Sequence, residues 1–522
     1  MLGVVFMLFF AAKPAPPRVY PQKFRTFYSS NDDHLPSTLK MRKFPLPAIT
    51  ATARASDGAI WIGSEQGLAR YDARADPVDQ IQYFASLRYL PDDHVLAITP
   101  DSGGGVWART STAAAHLEIK PMTLAAKADY FEQRVLARHD RHGLVSSSRL
   151  TRPGDLTSNQ LEASDNDGLW TAIYAAAECF QYAVTMTKDA LARAERFTRA
   201  VLFLEHVTGR PGFPARSFVL KGEARPEDGV WHDSADGKYV WKGDTSSDEI
   251  VGHLFLYAIA YDLLPDPVLK AEIRATTRRI LDHIIEHGYN LTDVNGQPTT
   301  WGKWSRDYFD SKPGKPDSPL NALELLSFLK SGAHITGDAK YEREYRKVAI
   351  DLGYARIAAQ YKELDDELNY SDEELAMLPF YSLLRYEHDP ELLAVYRSAL
   401  DQWWLNMQRE KNPLWTYIYA SGRPGGKVDF EGALWTLARI PMDTIEWTVK
   451  NSERGDVTLD GGPDRFNQAQ SKTLLPPDER PVMKWNTNPF VVDGGNGGQS
   501  EDDGGFFLLP YWMGRYLGMV GK

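Results

Sequence analysis

Cysteine is all but missing from this chain, and so are several motifs that would name its chemistry at sight. The single Cys179 lies inside an apolar run, which rules out an intrachain disulfide and a cysteine-based metal site. A buried small hydrophobe is what that position calls for. Positive charge is short as well: 59 Lys and Arg stand against 70 Asp and Glu, a net charge of −11, with no basic run. That balance argues against a nucleic-acid partner. Neither G-x-S-x-G nor G-x-x-x-x-G-K-[ST] occurs, so no serine elbow and no phosphate loop is present. Glu249 and His253, four apart, lack a third histidine at matching spacing, so they read as structure rather than as metal ligands. Long apolar runs are absent except for residues 2–12, LGVVFMLFFAA, which are too short to span a bilayer. Ending in Ala11 and Ala12, that run reads as the hydrophobic part of an export signal, although no Lys or Arg precedes it. Residues 1–19 are therefore expected to be a leader, and the protein to be exported, periplasmic or extracellular.

Aromatic residues, by contrast, are plentiful. With 14 Trp, 25 Tyr and 22 Phe, some rings are expected in clefts or on the surface rather than in a core. Residues 20–119 alternate in the manner of strands, with Gly/Asp turns between them. From about residue 120 to 522 helical periodicity takes over. Helix pairs are expected at 165–183 with 187–207, 248–264 with 267–287, 319–335 with 339–361, and 372–387 with 390–408. A shorter pair follows near 413–420 and 428–438, and 503–518 ends the chain. The first member of most pairs is apolar nearly all round, the second on one face, as inner and outer helices of a ring would be. Inner-to-outer links are short, whereas returns such as 208–246, 289–317 and 450–499 are long. Long irregular returns in a compact domain usually carry function.

Those returns land where a recurring motif sits. Ser247-Asp248-Glu249, Ser371-Asp372-Glu373 and Ser164-Asp165-Asn166-Asp167 each open an inner helix, with Tyr257, Tyr381 and Tyr174 ten residues after the serine. A looser copy is Ser500-Glu501-Asp502-Asp503. Taken singly, each is what a stable helix start requires, a cap followed by acids that complement the dipole. Taken together around one mouth, clustered carboxylates repel, so one tends to hold a proton while another stays ionised. That is the pair glycoside hydrolysis uses. Asp248, Asp372, Asp167, Glu249, Glu373 and Asp502 are the candidate catalytic residues. Trp231, Trp241, Trp301, Trp304, Tyr308, Trp415 and Trp485 supply rings for stacking on sugars, with Tyr257 behind them. Arg216, His232 and Arg306 add polar and cationic groups suited to an anionic sugar. No cofactor is called for, and Ca²⁺ held by oxygen ligands at the acidic rim is the one ion left open.

Two resemblances follow from these residues. Asp57 to Gly63 (DGAIWIG) and Gly103 to Arg109 (GGGVWAR), with Leu90-Pro91-Asp92-Asp93 upstream of the second, resemble blades of two-component-regulator propellers. About two blades are visible, too few for a closed propeller. The helical half resembles the (α/α) toroids of six-hairpin glycoside hydrolases and polysaccharide lyases. The resemblance implies a mainly α fold, an (α/α)6-type toroid with a small N-terminal β module. It also implies an oligosaccharide or polysaccharide substrate. Hydrolysis would use Asp248 with Asp372, Asp167 or Asp502. A lyase would act on uronates by β-elimination, with His232, Tyr239, Tyr308 and Arg306 in the base and neutralising roles. A glycan-binding or sensor protein without catalysis is the third reading.

Overall fold

A computed structural model describes residues 17–28, 46, 48–360, 369–481, 484 and 486–521. Most of the expected leader, the turn at Leu35-Pro36 and Trp485 lie outside the described residues.

Two four-stranded antiparallel sheets open the chain. One is a meander of β2 (Ala51–Arg54), β3 (Ile60–Ser64), β4 (Gly67–Tyr71) and β5 (Ile81–Phe84). The other runs β6 (Val95–Pro100), β7 (Val106–Thr110), β8 (Ala114–Thr123), and is completed by β1 (Val19–Tyr28) pairing along the whole of β8. Trp61 and Trp107, the repeated tryptophans, stand on the second strand of each meander. Trp61, Phe84, Val95, Val106 and Leu117 share one small core, separate from that of the helices.

The helices are α1 (Leu124–Arg138), α2 (Asp167–Thr185), α3 (Lys188–His206), α4 (Ser247–Leu263), α5 (Pro267–Glu286) and the short α6 (Arg306–Phe309). After them come α7 (Ser318–Thr336), α8 (Ala339–Arg346), α9 (Tyr354–Ala358), α10 (Tyr370–Tyr386) and α11 (Pro390–Met407). Last are α12 (Pro413–Gly422), α13 (Phe430–Arg439) and α14 (Gly505–Tyr516). Helix α4 packs on α2 and α7, α10 on α7 and α12, and α14 on α12 and back on α2, so six helices close a circuit. The others pack outside: α3 on α2 and α4, α5 on α4 and α7, α8 and α9 on α7, α11 on α10 and α12. Sequence explains the two roles. Helix α4 is buried from Glu249 to Ala260 without a break, whereas α5 buries only the stripe Leu269, Ile273, Thr276, Thr277, Ile280, Leu281 and Ile284. The short links start helices by capping: Asp266 before Pro267 and Asp389 before Pro390 accept from the first free N–H groups. Where α2 crosses α4 the backbones nearly touch; a Cβ on Gly252 would lie 2.9 Å from the Leu169 Cα.

The class is not the one expected. Helices hold 44% and strands 19%, so the protein is mixed α/β rather than mainly α with a small β module. Part of the strand content is the size of the N-terminal sheets. The rest zips the long returns: 147–150 with 159–162 and 500–501, 217–220 with 239–242 and 231–233, 290–292 with 298–303. These segments are short and polar (SSRL, NQLE), so no alternation marks them, and pairing with a neighbour makes them strands. Among the described residues no helix is long and apolar enough to cross a membrane.

The sheets and helices meet at a turn, residues 477–480. Lys23 on β1 pairs with Asp478 at 2.5 Å, and Arg439 on α13 pairs with Asp478 at 2.8 Å and Glu479 at 3.3 Å. The buried Arg88 donates to the backbone carbonyls of Asp478 (3.1 Å) and Arg480 (2.9 Å). That grip fixes one wall of the site.

Candidate active site

The starts of α2 and α4 are tied by side chains, and polar groups of α7 and α10 lie beside them at the expected mouth. On α4, Glu249 closes a capping box: the Ser246 N–H (3.1 Å) and hydroxyl (2.7 Å) both donate to Oε2. Its Oε1 is buried with no partner. Burial pushes this carboxyl up to about 8, against Arg216 at 3.9 Å and helped by the neighbouring Asp248 charge. Asp248 itself is half-buried and accepts from the Ser246 hydroxyl (2.7 Å) and from Asn166 Nδ2 (3.3 Å), which ties the starts of α4 and α2 together. Arg216 strengthens that tie, donating to the Asp165 carbonyl (2.6 Å), Asn166 Oδ1 (2.9 Å) and the Asp244 carbonyl (3.1 Å).

Across the mouth, Asp372 on α10 is half-buried and accepts from Asn369 Nδ2 at 2.7 Å. Between α4 and α10 stands α7, and on it Glu324, fully buried. Trp304 Nε1 donates to Glu324 Oε2 at 2.7 Å, while Oε1 has no partner. Burial holds this carboxyl well above the ordinary range; Trp304 opposes the rise, and the charges of Asp248, Asp372 and Asp317 add to it. Glu324 therefore lies within electrostatic reach of both aspartates.

The remaining acids divide. Asp167 is sealed: Arg141 (2.6 Å), Ser164 (2.7 Å) and Ser217 all donate to it, so its carboxylate is committed to a buried ion pair. Asp502 is buried beside Lys484, 3.3 Å away, and burial raises its carboxyl against that partner. Glu373 is buried and hydrogen-bonded to Glu410, whose own carboxyl burial pushes up to about 7. Lys484 lies 4.9 Å from the ring of Trp170 in the first turn of α2, which brings Asp502 toward the same mouth.

The aromatic candidates separate in the same way. Trp301 is 57% exposed on a hairpin fastened to the mouth, because Asp244 accepts from the Thr300 N–H and hydroxyl, both at 2.8 Å. Trp231 and Tyr308 are half-buried, their polar tips spent on the Asp228 carbonyl (2.9 Å) and on Asp317 (2.7 Å). His232 stacks on Trp241 with ring centres 4.5 Å apart. Arg306 is exposed and paired with Asp310 at 3.0 Å. Trp241, Trp304 and Trp415 are buried, and Tyr257 sits in the core, its hydroxyl 3.5 Å from the Val201 carbonyl. Among the described residues no group of three or more His, Cys, Asp and Glu is placed to hold a metal ion.

Glu324, Glu410 and Arg480 escaped notice in the sequence. One signal was present for the first: a lone acid inside the apolar run LNALELLSFL, where burying an ionised carboxylate is so costly that the group must be paired, bonded or neutral.

No family model matches the chain, and no curated protein matches it. Among solved structures, a sugar epimerase from a ruminal bacterium is similar at 12% identity over 54% of this chain and 73% of that chain. Its TM-score is 0.30, a likeness too slight to carry an argument about fold or activity.

Proposed function

We propose that the protein is a carbohydrate-active enzyme that hydrolyses glycosidic bonds, with Asp248 and Asp372 as its carboxylate pair. The observation that carries this reading is Glu324, a buried acid held neutral in part by the charges of both aspartates. Glycoside hydrolysis needs one carboxyl of the pair to carry a proton and the other to be ionised. The protonated member gives its proton to the glycosidic oxygen as the bond from that oxygen to the anomeric carbon breaks. A water oxygen bonds to the anomeric carbon, directly or after the second carboxylate has attacked, and the water's proton passes to a carboxylate. Trp301 offers an open ring face on which a sugar can stack.

Elimination is the weaker reading because its groups are engaged elsewhere: Tyr308 donates to Asp317 and Arg306 pairs with Asp310. The test is release of reducing ends from a panel of polysaccharides by the wild type and by Asp248→Asn and Asp372→Asn. Each substitution is expected to lower turnover by about 10²–10⁴-fold, and stability by no more than about 1–2 kcal/mol. Full activity in Asp248→Asn would reduce that residue to a helix cap. Products absorbing as a conjugated double bond would replace hydrolysis with elimination.

A further inference from the structure

Near the starts of α12 and α14 lies a small cavity walled by Glu410, Asn412, Thr436, Arg480 and Lys484, with Pro477 and Pro489 beside them. Its volume is about 40 Å³. On the same measure one water needs roughly 10–15 Å³. The space takes a few waters or a single carboxylate group, and no sugar ring.

Open donors line its walls. Arg480 is 7% exposed, and its Nε has no hydrogen-bond partner; the Thr436 hydroxyl, on a residue 6% exposed, has none either. The guanidinium is held in place rather than loose, since Nη1 donates to the Pro489 carbonyl at 3.1 Å and the residue's own carbonyl is gripped by Arg88. A buried charged donor without an acceptor is costly, so such a group marks a place where an acceptor arrives. Burial lowers the Arg480 guanidinium only to about 10, so it remains charged at neutral pH. Lys484 brings a second cation, reaching from this cavity to Asp502 and the ring of Trp170. Lys484 is matched by Asp502 and faces Asp503 and Glu446, and Arg480 feels Glu410 and Asp478, so what the cavity leaves open is the Arg480 Nε donor and the Thr436 hydroxyl rather than a net positive charge. Asp478 is paired with Lys23 and Arg439, and Glu373 is bonded to Glu410. Glu410, pushed up to about 7, is neutral over much of the acid range and then offers a donor of its own. The positive end of α12, capped by Asn412, adds to the field.

We propose that this cavity is a carboxylate-binding subsite, which takes the acid group of a uronate-bearing glycan while the sugar ring stays in the mouth. The identity of the ring rests on the glycosidase reading; the binding of a carboxylate does not. The test is calorimetric titration of the full chain with sodium acetate, sodium glucuronate, sodium sulfate and glucose at constant ionic strength. It is repeated on Lys484→Met and on Thr436→Val, the second removing a single hydroxyl from a position outside the proposed catalytic pair. Glucuronate is expected to bind at least about tenfold more tightly than glucose, and each variant to lose about tenfold, the factor for one charge-assisted hydrogen bond. Binding of acetate in competition with glucuronate means that a free carboxylate suffices, and binding of glucuronate alone means that the ring contributes; both sustain the proposal. Glucose equal to glucuronate, sulfate equal to acetate, or variants that bind like the wild type in a correctly folded state would overturn it. Failure here leaves hydrolysis of neutral sugars by Asp248 and Asp372 intact. Loss of that reading with carboxylate binding preserved leaves the subsite intact.

Discussion

The two ends of the helical circuit are both rich in charge, and they handle it differently. At the far end, where α7 and α10 finish, lies a cavity of about 610 Å³ lined by Lys330, His334, Glu342, Arg346, Glu387 and Asp389. Its carboxylates are matched: Lys330 lies 3.1 Å from Glu342 and 3.4 Å from Glu387, Arg346 lies 3.0 Å from Asp389, and Tyr345 donates to Glu387. At the mouth, Glu249 and Glu324 each keep one buried oxygen without a partner, and both are pushed toward the neutral form. The ends differ in how charge is paired rather than in volume, since a cavity of about 920 Å³, walled by Arg141, Glu162 and Glu223, lies just ahead of α2. Paired charge holds a structure together, whereas uncompensated polarity is what a substrate can complete.

Four experiments break or sharpen this contrast. Lys330→Met should remove a nearly buried cation from two acids and cost about 3–5 kcal/mol in urea unfolding. The lower limit is expected, because Tyr345 and two backbone N–H groups still hold Glu387. A loss below about 1 kcal/mol would mean that the far end is not braced by its pairs.

Next comes pH. In the folded chain Glu249 holds its proton up to about 8, against 4.5 ordinarily, so the folded state binds a proton that the unfolded state releases. Its contribution is complete below 4.5 and is lost as pH rises toward 8, a change of a few kcal/mol at most. His253, one turn along α4 and lowered by burial to about 4, has the opposite sign: its contribution is present above 6.5 and is lost as pH falls through 4. Unfolding should show stability falling from pH 6.5, where the rise from His253 has ended, to about 8, a slope that Glu249→Gln flattens; equal slopes in the two proteins would remove Glu249 from the account.

Glu324→Gln, at a carboxyl that burial pushes toward the neutral form, should shift stability by less than about 1 kcal/mol at neutral pH, far less than Lys330→Met. A large loss would show that Glu324 is ionised and paired after all. Smallest is Trp301→Ala, expected within about 0.5 kcal/mol by thermal unfolding, while saccharide affinity falls by the loss of a stacking face. Unchanged affinity would take that hairpin out of the site.

Much of the helical half was legible because its signals are local. The expected 267–287 and 390–408 match Pro267–Glu286 and Pro390–Met407, each opened by an Asp cap and a proline. The expected 339–361 broke into α8, a π turn at Lys347–Asp351 and α9, with Gly353 in the left-handed region before the last piece. The sheet content was not legible, because short polar strands such as Ser147–Leu150 and Asn159–Glu162 show no alternation and are settled by pairing with each other and, for the first, with the distant Ser500–Glu501. At the site, the helix-start acids could be read one by one. Spacing does not say that Asp167 would meet Arg141 and be sealed, or that Glu324 would stand between Asp248 and Asp372. Both depend on which helices become neighbours.

One consequence belongs to the turn at 477–480. Because Lys23 and Arg88 reach it from the sheets while Arg439 reaches it from α13, the backbone that carries Arg480 is held in part from outside the helical half. The N-terminal sheets are then a template for the shape of the opening, and alterations on β1 or near Arg88 should be felt by ligands that never touch them.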